Sequence, residues 1–163
     1  MDDRIPAADT MAGVLRAKKR EIEAGDEVRP HLLILGAEQP VAVQLPGDLE
    51  GPPLDAWFNE QGRLYVGVTP KSVLFVRVTD SINPELFGAS HFLGILFRDA
   101  GGFERFLIQA YYVKDGAVSW GKATTIGGST PSGLEAFFRG VREAQGAGKT
   151  RRWRRQRTWR FMR

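Results

Sequence analysis

The chain has no cysteine, which removes disulfides, thiolate metal sites and cysteine nucleophiles in one step. That absence fits a reducing compartment. Histidine is almost as scarce. His31 and His91 are the only two, and neither has a partner at the spacing of a paired metal ligand. No apolar run approaches the roughly 20 residues needed to span a bilayer. The opening residues Met1-Asp2-Asp3-Arg4-Ile5-Pro6 lack the basic start and apolar stretch of a signal peptide. There is no internal repeat. These absences together predict a cytoplasmic protein without metal, cofactor or membrane partner.

What is present is ordinary in bulk and uneven in detail. Of 163 residues, 42% are hydrophobic and 26% charged, the composition of one domain able to bury a core without staples. The net charge of +4 conceals a segregation. Eight basic residues and no acidic ones lie in residues 149–163. Residues 1–148 therefore hold 15 basic against 19 acidic residues, a net of −4. Such asymmetry points to contact with nucleic acid or a charged surface through the basic end.

The organising stretch is residues 91–126, three apolar-rich runs separated by Asp99-Ala100-Gly101-Gly102 and Lys114-Asp115-Gly116. Strand-forming runs closed by Asp-Gly and Gly-Gly signals predict a three-strand meander. The first run, apolar on both faces, is expected in the interior of the sheet, and the lighter third run at an edge. Upstream, Met11, Val14, Leu15, Lys18 and Ile22 recur at helical spacing and predict a helix over 9–24, with Asp9 or Thr10 as cap and Gly25 as stop. Residues 29–46 read as a strand pair, 46–53 as a loop, 54–68 as a helix by apolar spacing, 73–79 as a strand and 80–90 as a loop. Leu134, Phe137, Phe138 and Val141 form the apolar face of a helix starting near Thr130-Pro131 and ending at Gly146. The expected fold is single-domain α+β over residues 1–148. It has a mostly antiparallel sheet of five or six strands with two or three flanking helices, followed by a flexible basic arm.

Catalytic signals are thin. Gly146-Ala147-Gly148-Lys149-Thr150 resembles the end of a phosphate-binding loop, but Glu143 stands where the first glycine is required and a helix stands where a strand is required. Gly127-Gly128-Ser129-Thr130 could cradle an anion at a helix start, although most such entries only make a turn. Asp99 and Asp115 sit where turns want aspartate. Asp80, Ser90 and His91 contain the side chains of a triad, which requires a geometry that sequence proximity does not supply. A non-enzymatic protein is expected.

The basic arm is different in kind. Lys149, Arg151, Arg152, Arg154, Arg155, Arg157, Arg160 and Arg163 are interleaved with Trp153, Trp159 and Phe161. Guanidinium groups neutralise phosphates and release counterions, and aromatic faces stack on unpaired bases. The three aromatics share parity in an extended chain and do not share a face on a helix. The expectation is a binding protein whose arm engages single-stranded or structured nucleic acid with little sequence choice. The alternative is a protein-interaction or assembly protein that uses a sheet edge or the N-terminal helix on a partner or a second copy.

Overall fold

The computed structural model describes residues 4–37, 39–126 and 133–160, with side chains described from Asp9 to Ala147 apart from residues 38, 86–87 and 127–132. Helix α1 (Arg4–Glu23) is followed by strands β1 (His31–Leu35) and β2 (Val41–Gln44). Helix α2 (Gly51–Leu64) runs into a single 3-10 turn at Val66–Val68 and leads to strand β3 (Ser72–Asp80). After the short helix α3 (Pro84–Phe87) come β4 (His91–Asp99), β5 (Glu104–Lys114) and β6 (Ala117–Ile126), and then helix α4 (Leu134–Arg160). All six strands form one sheet in the order β2-β1-β3-β4-β5-β6, and every neighbouring pair is antiparallel. The fold is α+β, with β4 in the interior and β6 at an edge as its composition predicts. β2 and β3 both pair with β1, so α2 carries the chain from one side of β1 to the other.

The meander is closed by the turns the sequence calls for. Asp115 and Gly116 have φ of 52° and 77°, and Lys114 pairs with Ala117 across them. This is the two-residue turn in which both central residues need positive φ, so Asp-Gly suits it. At the other hairpin the Asp99 carboxylate accepts the Phe103 N–H at 2.9 Å, while the Asp99 N–H donates to the Phe103 carbonyl at 2.9 Å.

Alternation along β1, β3 and β4 sends side chains to opposite faces, and each face has its own core. Leu32, Ile34, Val73 and Phe75 meet Trp57 and Phe58 of α2 and Leu134, Phe137, Phe138 and Val141 of α4. Leu74, Val76, Leu93, Ile95 and Phe97 meet Met11 and Ile22 of α1 on the other side. The far end of α1 is fastened to the edge strand. The Trp120 indole N–H donates to Glu23 Oε1 at 2.7 Å, and Lys19 Nζ lies 4.6 Å from the Trp120 ring centre. Helices α2 and α4 approach so closely that backbone touches backbone. A Cβ on Gly62 would run into the Phe137 carbonyl, and one on Gly140 into the Asn59 carbonyl. Asn59 donates to the Ala136 carbonyl at 3.3 Å, and Arg63 pairs with Glu143 at the outer end of the crossing.

Every helix departs from expectation in its bounds: α3 (Pro84–Phe87) falls in the stretch 80–90 read as loop, and α2 stops at Leu64 where the helix was expected to reach residue 68. α1 begins at Arg4, with Pro6 in its first turn, where a missing N–H costs no bond. Asp9 and Thr10 are thus inside the helix and not its cap. α2 begins at Gly51 with Pro52 and Pro53 at its start, so the proline pair read as loop is the helix's own opening turn. α4 begins at Leu134 and passes through Gly146 to Arg160. Gly146 has no positive φ. One interior glycine costs about 1 kcal/mol, and the alanine, glutamine, lysine and arginine around it are strong helix formers.

Candidate functional site

At one end of the sheet β3 finishes, β4 begins and β5 passes between β4 and β6, which brings together groups far apart in sequence. Asp80 pairs with His91 across the β3–β4 ladder, and His91 with Tyr111 across β4–β5. The imidazole of His91 stacks on the Tyr111 ring with centres 5.0 Å apart and planes 13° from parallel. His91 Nε2 lies 3.3 Å from Asp80 Oδ1, and Nδ1 lies 2.8 Å from Ser90 Oγ. A neutral imidazole protonated on Nε2 satisfies both contacts, with its N–H on the carboxylate and the serine O–H on Nδ1. The three side chains of the triad pattern therefore converge.

Convergence alone does not make a nucleophile. Ser90 Oγ also accepts the Val113 N–H at 3.1 Å, which ties the hydroxyl to β5. The Asp80 side chain is 88% exposed, so its pull on the imidazole is screened by water. Ser90 thereby pins the loop after α3 to β5, helped by its own N–H on the Tyr111 carbonyl at 3.0 Å. Asp80, His91 and Tyr111 line a cleft of about 590 Å³ between the sheet end and the loop after α1, whose wall includes Asp26, Asp48 and Ile22 but not Ser90. Burial, with Asp80 as the second cause, raises the Tyr111 phenol above its ordinary value, so it stays protonated. The other histidine, His31, opens β1 near Lys18 and Glu21. Its Nδ1–H donates to the Arg29 carbonyl at 2.8 Å, and burial is the main reason its pKa is lowered. Among the described residues no three of His, Asp and Glu are grouped to hold a metal ion.

A second concavity opens on the sheet's face. α2 and α4 cover β2, β1 and the start of β3, and beyond Phe75 neither helix lies over the same face among the described residues. A groove of about 480 Å³ runs there, walled by Phe75, Phe92, Leu96, Phe106 and Ile108 with Arg77 on its β3 side. Its floor is Gly94, over which the Phe106 ring leans. Sequence pattern gave no hint of this groove, because an apolar face reads the same whether or not a helix covers it.

The basic segment forms the last part of α4. The backbone from Lys149 to Arg160 is helical. The side chains of Lys149, Arg151, Arg152, Trp153, Arg154, Arg155, Arg157, Trp159 and Arg160, together with all of Phe161 and Arg163, lie outside the described residues. So does the candidate anion turn 127–130. Gly146 to Thr150 lie within the helix, which is not the strand–loop–helix setting of a phosphate loop. None of the described helices is long and apolar enough to cross a membrane. No family model, curated protein or solved structure matches the chain.

Proposed function

We propose that the chain is a small non-enzymatic binding protein whose basic C-terminal segment engages nucleic acid with little sequence specificity. The observation that carries the reading is the segregation of charge, a body of net −4 joined to fifteen residues with eight cations and three aromatics. Support comes also from the continuity of α4. Its packing on α2 ends near the Arg63–Glu143 pair, and its backbone continues for 17 residues to Arg160, about 25 Å at 1.5 Å per residue. A basic helix of that length lays cations along phosphates, and an α-helix fits the roughly 12 Å major groove of duplex DNA. A helical backbone favours duplex or stem contacts over stacking on unpaired bases, since the three aromatics do not share a helical face.

Fluorescence anisotropy with labelled single-stranded and duplex oligonucleotides, for the full chain and for a variant with its eight arm cations changed to Gln, tests the reading. The full chain binds with affinity falling at a log–log salt slope of roughly −3 to −4 if half the cations reach phosphate, and the variant loses binding. Equal binding by both proteins, or none by either, sinks the proposal.

A second reading has an observation of its own. β6 is a ten-residue edge strand, and every residue from Gly121 to Ile126 is exposed. Such an edge is a template for strand addition by a protein partner or a second copy. A salt-insensitive dimer by light scattering, without affinity for nucleic acid, selects this reading.

A further inference from the structure

The groove on the open half of the sheet has a built polarity. Arg77 faces Gly94 across the β3–β4 ladder, Thr79 faces Phe92 and Phe75 faces Leu96. On the next strand Gly94 faces Ile108 and Leu96 faces Phe106. The polar groups Arg77 and Thr79 are therefore neighbours along the β3 side, and the apolar side chains of β4 and β5 make up the other side. Gly94 in mid-strand removes a side chain, which leaves room beside the Phe106 ring that leans over it.

The two arginines of this face differ in what holds them. Arg98 pairs with Glu104 at 2.6 Å beyond Leu96 on β4, with side chains only 16% and 7% exposed, and that pair is closed to exchange. Arg77 pairs with Glu50 at 2.8 Å, but Glu50 is 74% exposed. An exposed carboxylate holds its partner weakly and yields it to another anion at little cost. The size of the site selects the kind of occupant. Eight described residues line about 480 Å³, within the range of small-ligand pockets, whereas a stable protein interface takes about 20–30 residues a side.

We propose that this groove binds a medium-chain aliphatic carboxylate. The head group displaces Glu50 from Arg77 and takes the Thr79 hydroxyl as a second donor. The chain lies over Gly94 toward Leu96 and Phe106. None of the described residues that line the site belongs to the basic segment, so the proposal is tested separately from nucleic acid binding.

Isothermal titration of the full chain with octanoate, decanoate and dodecanoate tests this, with dodecanol and dodecyltrimethylammonium as head-group controls. Affinity rises about fourfold per added methylene, the increment for burying one CH₂. Dodecanoate binds at least tenfold tighter than either control. Glu50→Gln frees Arg77 from an exposed position that the fold does not need, tightening dodecanoate at least threefold and leaving dodecanol unchanged. Gly94→Leu fills the groove and abolishes binding of all three carboxylates while the oligonucleotide affinity is kept. Equal affinity for dodecanoate, dodecanol and the ammonium, an unchanged dodecanoate affinity in Glu50→Gln, or full carboxylate binding by Gly94→Leu would each overturn the proposal. The last outcome would place the anion on the basic segment instead.

Discussion

His31 shows how one half-buried ring sets a pH response. Burial is the largest influence on it and lowers its pKa below the ordinary 6.5, with Lys18 acting in the same direction and the Arg29 carbonyl and Glu21 opposing. Because the folded value is the lower one, the unfolded chain binds the extra proton first as pH falls. Stability from this group is therefore full above about 6.5 and is lost as pH drops through the folded pKa. Thermal melts at pH 7 and pH 5 check this. His31→Gln should melt with a smaller loss on acidification than the parent, whereas an equal loss in both would assign the acid response to the carboxylates. The His91 cluster illustrates a different lesson. Asp80, Ser90 and His91 were readable as a group, and the ladder does bring them together. What the sequence did not show was the Val113 N–H on Ser90 Oγ, a contact from a strand more than twenty residues away that fastens Ser90 to β5.

Between elements, the closest approach is the crossing of α2 and α4, where Gly62 and Gly140 let the backbones touch. Alanine at either position pushes a methyl group into a carbonyl oxygen that belongs to a packed helix and cannot move alone. Gly140→Ala should cost about 1–3 kcal/mol or more by overpacking, measured by urea unfolding. A neutral result would mean that the helices slide apart freely. The pattern of the sequence carried the elements themselves well. The meander was legible because its turns demand Asp-Gly and Gly-Gly, and the two helices on the first core because their aromatics recur at the right spacing. Helix ends were less so. Pro52-Pro53 is equally at home in a loop and in a first turn, and Gly146 is a stop only where the chain bends into the left-handed region, which here it does not. The close helix crossing was not legible at all, since a glycine inside a helix reads in sequence only as lost helix propensity, whereas Gly62 serves in the structure as a point of contact.

For the whole molecule, the two cores share strands. Leu74 lies under α1 and its neighbours Val73 and Phe75 under α2 and α4, so neither face can loosen without disturbing β3. A single cooperative transition follows. Trp57 reports one core and Trp120 packs against the other. With Trp153 and Trp159 replaced by Phe, two variants retaining only Trp57 or only Trp120 should unfold at the same urea midpoint once each is corrected for its own stability. Phe137→Ala, which empties a fully buried site on the first face, should cost about 3–5 kcal/mol and shift both reporters together. Separate midpoints would mean that the faces melt independently.

The pairing of α2 with α4 also has a consequence in time. Every strand of the meander pairs with the one made just before it, so that part of the sheet can assemble as it is synthesised. α2 meets β1 and β3 early through Trp57 and Phe58, but its helical partner α4 comes last. Trp57, Phe58 and Gly62 are covered by residues up to Val141, 77 positions after the helix ends at Leu64. At about 5–20 residues per second that interval lasts roughly 4–15 s. Through it the side of α2 that α4 will cover, Gly62 included, stays open. The growing chain is therefore most open to chaperone capture, or to aggregation, before the glycines of its last helix arrive.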